Sequence, residues 1–330
     1  MNKKAENESH LYVHLVTIMK KIWHICFKSE SEVFFRSPAD HEFFFNGTAS
    51  ALVKTDSLLL AEAQMSNHCH QIVMSEDIRR LVQLERLSYV KYFNSKYSRT
   101  GPLGEKSFFA LEIHGVSHLI AATVYTIRNP MHHGVTKTPF MYPYSSANCY
   151  FRKELGKDFT PTRILTKEQM VGRLPRRAAY NDNWKMNENG ILLKESVIES
   201  ALVETNFVSP QAFLYLVSRK SGEEWEREQI ERDANGRAPI TLELIEGPVI
   251  GGSTEGLTRM KENEKAHFPP PRKTDLEICQ IIDNYYVPKY KKASVYCLSS
   301  QEKSEIGNAL YKLYHVSVGQ IRRCLASSTR

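Results

Sequence analysis

Residues 67–74 read Asn-His-Cys-His-Gln-Ile-Val-Met, and this octet constrains the chain more than any other stretch. On a strand, alternate residues face one side, so His68 and His70 project together. Cys69 turns to the opposite face, where it can pack as a small hydrophobe. Neutral imidazole is a good ligand for divalent metals, although an isolated His-x-His pair is more often two surface or hydrogen-bonded histidines. Residues 56–62, with Ser57-Leu58-Leu59-Leu60-Ala61, read as a neighbouring strand, and residues 63–74 pair back on it as a hairpin.

The surrounding pattern supplies the rest of a sheet domain. Residues 11–27 are rich in β-branched and aromatic side chains and predict a first strand. Residues 43–54 predict a helix. Residues 76–95 show helical spacing in Ile78, Leu81, Leu84, Leu87 and Val90. Residues 100–104 (Thr-Gly-Pro-Leu-Gly) read as a turn, and residues 108–113 as another strand. Residues 117–128 predict a helix, with Ser117 as its N-cap and Pro130 bounding its end. The order β-α-β-β-α-β-α predicts a compact α+β domain of about 150 residues, with boundaries 1–151. Residues 152–247 read as a mainly helical region without a chemical constellation. Residues 248–274, which hold Gly251-Gly252-Ser253 and Pro269-Pro270-Pro271, read as a linker. Residues 275–330 read as a short basic helical unit.

Tyr125-Thr126-Ile127-Arg128-Asn129-Pro130 is the second informative stretch. Helix phase puts Asn129 four residues after Tyr125 and His118 seven before it, nearly on one face. A phenol, an amide oxygen and an imidazole can therefore share a surface. Tyrosine has an ordinary pKa of about 10, so as a nucleophile it needs a polarised phosphate or a nearby base. Taken alone, the stretch also reads as an amphipathic helix with a packed tyrosine and an Asn cap.

Bulk properties narrow the classes. The formal net charge is +7, and it is unevenly spread. Residues 79–137 hold nine Lys/Arg against three Asp/Glu, and residues 285–330 hold eight against two. Two separate basic segments fit two nucleic-acid contacts, or simply solvated charge. The six cysteines are scattered without a C-x-x-C pair, which argues against a disulfide framework or a zinc ribbon and fits a reducing, cytoplasmic location. The apolar stretch 11–27 is interrupted by Lys20, Lys21 and two histidines, which fits neither a signal peptide nor a membrane span.

Taken in order, these motifs resemble the HUH single-tyrosine transposases, and most of all the REP-associated tyrosine transposase branch. The resemblance rests on Asn67-His68-Cys69-His70 and on Tyr125 with Asn129. It also rests on Tyr92-Phe93-Asn94-Ser95-Lys96-Tyr97-Ser98-Arg99-Thr100-Gly101-Pro102-Leu103, on Asn129-Pro130-Met131-His132-His133-Gly134-Val135, and on Tyr142-Pro143-Tyr144-Ser145-Ser146. It covers roughly residues 11–151. Two positions depart: Ser66 stands where the family often has Pro before Asn-His, and Gly104-Glu105-Lys106-Ser107-Phe108 lacks the common Trp and Arg.

The resemblance implies an antiparallel-sheet HUH nuclease domain of ferredoxin-like (RRM-like) type. It implies Mg²⁺ or Mn²⁺ on His68 and His70, with Asn129 as third ligand or His132 and His133 in its place, and no nucleotide cofactor. Tyr125 would attack a scissile phosphate of single-stranded or hairpin DNA, giving a 5′-phosphotyrosine and a free 3′-hydroxyl. His118 could orient or deprotonate the tyrosine. A hairpin-binding relative that no longer cuts, and a metal nuclease that uses water, remain open as alternatives. Relatives work as dimers or monomers, so either state is expected.

For DNA contact, Arg79, Arg80, Arg86, Lys91, Lys96 and Arg99 could line a phosphate-tracking surface, with Tyr92 and Tyr97 as stacking faces and Tyr89 and Phe93 closer to core. In the last segment, Ser299-Ser300-Gln301-Glu302 matches a capping box that opens a helix with Ile306, Leu310 and Leu313 on one face. A break at 315–317 and a second helix over 318–325 predict a helix-turn-helix with Gln320, Arg322 and Arg323 as base or phosphate contacts, or equally a helical hairpin packed on the protein.

Overall fold

The computed structural model describes residues 20–29, 31–157, 163–174, 178–218 and 273–327. The expectations for residues 1–19, for 219–247 and for nearly all of the 248–274 linker lie outside these. Four strands form one antiparallel sheet: β1 (Lys21–Lys28), β2 (Leu58–Gln64), β3 (His68–Ser75) and β4 (Phe109–Glu112), in the order β2-β3-β1-β4. Strands form in all four expected stretches: β2 and β4 lie within two residues of the expected bounds, β3 starts five residues later than expected, and β1 covers the end of the expected 11–27, whose first nine residues lie outside the described ones; the molecule is α+β.

Register explains how the two faces diverge. Cys26 sits opposite His70 and Lys28 opposite His68, so these four side chains share one face. Phe27 opposite Cys69, and Ile25 opposite Gln71, point to the other. Helices α1 (Pro38–Lys54) and α2 (Ile78–Lys96) cover that second face, where Phe27, Phe44, Cys69, Tyr89 and Phe93 form a buried cluster. The same face buries Glu62, Gln71 and Glu85; Gln71 Nε2 donates to Glu62 Oε1 at 3.3 Å and to Glu85 Oε1 at 3.4 Å. Burial, and then the neighbouring Glu62 charge, pushes the Glu85 carboxyl up to about 8.

Helix α3 (Gly115–His132) covers the histidine face. It starts two residues before the expected Ser117, because Gly115 takes φ +76° and turns the chain sharply out of β4. His114 is the N-cap, and Ser117 lies in the first turn. Pro130 does not bound α3 but sits inside its last turn. There it forfeits a single N–H, while its own carbonyl accepts from Val135 at 2.9 Å.

Two of the ordered motifs have structural roles. In α2 and the turn after it, Asn94 Nδ2 donates to the Gly101 carbonyl at 2.8 Å, Tyr97 OH donates to Asp40 Oδ2 at 2.8 Å, and Leu103 is fully buried. Tyr142-Pro143-Tyr144-Ser145-Ser146 runs along the open edge of β2. Gln64 N–H donates to the Tyr144 carbonyl at 2.9 Å, Ser146 N–H donates to the Glu62 carbonyl at 2.8 Å, and Ala63 bridges Ser145. The motif therefore pairs part of the β2 edge, and Ile198 bridges Leu59 further along it.

The described part of the middle region holds four short helices, α4 (Lys167–Arg173), α5 (Lys194–Val197), α6 (Ser200–Glu204) and α7 (Pro210–Ser218), joined by turns and isolated bridges. Met186, Val197, Phe207 and Phe213 from it join the same buried cluster as Ile72 and Ile127 of the sheet domain. Core packing thus runs through the boundary that the sequence places at residue 151.

The last segment forms a helical unit with its own core of Ile278, Ile282, Val295, Ile306, Leu310 and Leu325. Its helices are α8 (Asp275–Ile281), which runs through a π-turn (Ile282–Tyr286) into α9 (Val287–Lys289), then α10 (Ser300–Tyr314) and α11 (Val318–Cys324). The capping box at Ser299 and Glu302 forms as the sequence predicts. Ile306 and Leu310 are buried, but Leu313 is 65% exposed, so the apolar face ends one turn early. The unit is docked on the sheet domain. Arg36, fully buried, forms a two-pronged ion pair with Asp283 at 3.0 and 2.7 Å, and its Nη1 donates to the Cys324 carbonyl at 2.7 Å. Val33 enters the unit's core.

Candidate active site

Strand alternation delivers His68 and His70 to one face, and α3 lays Tyr125 and Asn129 over them. His68 Nε2 lies 3.0 Å from Asn129 Oδ1, and Asn129 Nδ2 lies 3.4 Å from Tyr125 OH. The Tyr125 ring stands edge-on to His70 with centroids 5.4 Å apart, and the two histidine rings are 5.2 Å apart. The structure therefore joins four of the expected site residues on one surface: His68, His70, Tyr125 and Asn129.

Hydrogen bonds orient both imidazoles. Asn67 Nδ2 donates to the Ser29 carbonyl at 3.3 Å, which leaves Asn67 Oδ1 as the atom 3.0 Å from His68 Nδ1. An amide oxygen only accepts, so His68 carries its proton on Nδ1 and a lone pair on Nε2. That lone pair faces Asn129 Oδ1, another acceptor. A cation reconciles the two; without one, a half-turn of the Asn129 amide presents its N–H₂ instead. Burial pushes His68 down to about 4, and it pushes His70 well below the ordinary imidazole range, so both rings are neutral donors near pH 7.

His70 is held from behind. Its Nδ1 lies 3.0 Å from Nε2 of His24, a fully buried residue on β1, and its Nε2 lies 3.8 Å from Cys26 Sγ. The tautomer in which His70 Nδ1 donates to His24 leaves its Nε2 lone pair for a metal. His133 adds a further imidazole at the rim, its ring 5.1 Å from that of His68, and the His132 ring lies 5.5 Å from that of His133. No three His, Cys, Asp or Glu side chains among the described residues make a metal cage by themselves. Any ion held here would draw on the Asn129 amide oxygen beside the two imidazoles, since carbonyl oxygen suits Mg²⁺ and Mn²⁺ better than imidazole does.

The other sequence candidates divide. His118 is not brought to Tyr125: two helical turns, about 10 Å, separate them along the axis. Its Nδ1 instead accepts from the His114 N–H at 3.2 Å, at the start of α3. Arg86, Lys96, Arg99, Tyr92 and Tyr97 turn inward or along the surface to protein partners. Arg86 Nη1 donates to the Lys106 carbonyl at 3.0 Å, and Arg99 Nε donates to Glu32 at 3.0 Å. Lys96 pairs with Asp40 at 2.6 Å, the Tyr92 ring stacks on Phe43 at 3.9 Å, and Tyr97 is buried. Each satisfies a loop carbonyl, a buried carboxylate or a core contact, so these five hold the domain together instead of forming an open DNA track. Arg79, Arg80 and Lys91 remain exposed on α2. In the last segment, Gln320 Nε2 donates to the Lys273 carbonyl at 2.8 Å and Arg323 pairs with Asp275 at 3.3 Å, while Arg322 is exposed. Two of the three expected contact residues on α11 therefore face the protein.

The residues that sequence reasoning missed are His24, Cys26 and Asn67. Only the register brings His24 and Cys26 in: they alternate on β1 in the same phase as His68 and His70 on β3.

No family model matches the chain, and no curated protein matches it. Among solved structures it is similar to one described as a REP-associated tyrosine transposase bound to a REP hairpin. The identity is 13%, the match covers 43% of this chain and 82% of that one, and the TM-score is 0.35. A likeness of that degree assigns no activity.

Proposed function

We propose that this protein is a metal-dependent DNA strand transferase that uses Tyr125 as its nucleophile. The observation that carries the reading is the convergence of Tyr125, Asn129, His68 and His70 on one surface, with the His68 lone pair opposed to an amide oxygen. The ordered motifs around these residues, and their resemblance to HUH single-tyrosine transposases, support it. So does the β2-β3-β1-β4 sheet, the strand order of a ferredoxin-like HUH domain. The substrate class is single-stranded DNA beside a hairpin.

His68, His70 and Asn129 would hold Mg²⁺ or Mn²⁺. When bound, the ion supplies polarisation of the scissile phosphate and neutralises its developing charge. Asn129 also restrains the tyrosine, because its amide sits within reach of both His68 and the phenol. Tyr125 then attacks phosphorus. The O–P bond it forms replaces the P–O bond to the departing 3′-oxygen, which leaves as a hydroxyl after protonation, and the phenol loses its proton. The phosphotyrosine conserves the bond, so rejoining needs no nucleotide. Asn67 and His24 fix the ring orientations throughout.

The test is incubation with labelled single-stranded hairpin oligonucleotides from the flanks of the gene, with Mn²⁺, followed by a denaturing protein gel. A labelled protein band that disappears in Tyr125→Phe is the expected result. Cleavage without such a band overturns it in favour of water as nucleophile. Binding with neither, across several flanks and both metals, overturns it in favour of hairpin recognition alone.

A further inference from the structure

The C-terminal helical unit does not stand apart from the candidate site. Ser66 lies two residues before His68, in the turn that enters β3, and its hydroxyl donates to Asp275 Oδ2 at 2.7 Å. Asp275 opens α8, and its carboxylate lies 3.3–3.4 Å from Nη2 of Arg323 on α11. Two polar contacts therefore lead from the strand that carries the histidines to a guanidinium contributed from the far end of the chain.

Arg323 is poorly satisfied where it stands. Its contacts with Asp275 are long for a charge-assisted pair, which ordinarily closes to about 2.7–2.9 Å. Its Nε–H is buried and has no hydrogen-bond partner among the described residues. A buried guanidinium N–H without an acceptor is costly unless something arrives to accept it. The unit also cannot swing away freely, because Arg36 pins it through Asp283 and through the carbonyl of Cys324, the residue next to Arg323. The arrangement is a fixed cation with a spare donor, two polar contacts away from the turn that leads into His68.

We propose that Arg323 binds a phosphate oxygen of the DNA strand at the scissile linkage, so that the C-terminal unit completes the active site and is not a separate DNA-reading module. The inference rests on the strand-transfer reading. Guanidinium matches phosphate geometry with two parallel donors, and Asp275 holds it in place until the phosphate competes for it. Ser66 has a part that proline could not play, since only its hydroxyl ties Asp275 to the turn before His68.

The experiment scans single methylphosphonate replacements along the flank-derived hairpin oligonucleotide, in full-length Tyr125→Phe protein with Mn²⁺. Binding is measured with Arg323 intact, as Arg323→Ala, and as Asp275→Asn. The expected result is one linkage whose neutralisation weakens binding about tenfold when Arg323 is present and has little effect in Arg323→Ala. Asp275→Asn keeps an acceptor for Ser66 and frees the guanidinium, so it should bind the unmodified strand as tightly or more tightly. In the cleaving background, Arg323→Ala should lower the single-turnover rate at saturating DNA about 100-fold, with partial recovery in Arg323→Lys.

If Arg323→Ala and Asp275→Asn weaken binding alike and no linkage depends on Arg323, the residue only holds the unit in place and the proposal is overturned. Thermal melts of both variants show whether the unit has come loose. The two readings fail separately. A protein-linked band from the wild type with no Arg323-dependent linkage removes this contact and keeps strand transfer. An Arg323-dependent linkage with no band from the wild type keeps the contact and removes strand transfer.

Discussion

His24 shows how much of this site is set by residues that would never touch substrate. It is fully buried, and its imidazole lies 3.0 Å from His70 Nδ1. Partners that orient a metal-binding imidazole typically contribute 10–100-fold to affinity. His24→Phe should therefore lower Mn²⁺ affinity by about that range in titration calorimetry, with the far-ultraviolet circular dichroism unchanged. His118→Ala should cleave at the wild-type rate in the covalent capture assay, because its ring is engaged at the start of α3. On the opposite sheet face, Glu85 is held up to about 8 against an ordinary 4.5. The folded protein keeps a proton there that the unfolded chain releases. Stability is therefore greatest below about pH 4.5 for this group and falls as the pH rises towards about 8, at up to about 1.4 kcal/mol per pH unit. Glu62, which burial also pushes up, adds to the same slope. Urea unfolding of Glu85→Gln across pH 5 to 8 should show a shallower decline and higher stability at the alkaline end.

Among the elements, the junction of α1 and α2 is the most heavily bonded. Asp40 is fully buried and accepts from the backbone N–H groups of Arg36 and Ser37, from Tyr92 OH and Tyr97 OH, and from Lys96. Asp40→Ala removes a helix cap and strands a buried hydroxyl, and it should cost about 3–5 kcal/mol in urea unfolding. The same junction explains why Tyr92-Phe93-Asn94-Ser95-Lys96-Tyr97 misleads a reader of sequence. Interleaved aromatics and cations on a helix look the same whether they stack on bases or close around a buried carboxylate, and Asp40 lies about fifty residues away in the sequence. Strand elements were far more legible. Period-two alternation placed His68 and His70 on one face without any structure, because register moves residues along a strand and does not rotate them out of phase. Helix ends were less so. The start of α3 depends on a positive φ at Gly115, and Pro130 is accommodated because the carbonyls around it accept from N–H groups of the following turn; neither is written in periodicity. His24 was hidden for another reason: a lone histidine in an apolar strand announces nothing until β3 is set beside it.

At the scale of the whole molecule, the docking of the C-terminal unit turns on the Arg36–Asp283 charge pair, beside the Ser66–Asp275 bond and the packing of Val33. Asp283→Ala leaves the Arg36 guanidinium buried with one remaining carbonyl partner, and it should destabilise the protein by about 3–5 kcal/mol. The double change Arg36→Met with Asp283→Leu should recover much of that loss, since a pair removed whole leaves no unpaired charge. Equilibrium unfolding of the three proteins measures both effects. None of the described helices is long and apolar enough to cross a membrane. Arg36 also ties the order in which the chain is made to its competence. Its partners lie 247 and 288 residues downstream. During synthesis the sheet, Tyr125 and both histidines leave the ribosome long before Asp283 and Cys324 do. For that interval Arg36 must wait solvated, with the surface that will seat the unit still open. A chain interrupted after residue 218 would own the proposed nucleophile and both candidate metal-holding rings but not Arg323, so a truncated message would yield a protein that lacks the guanidinium we assign to the strand.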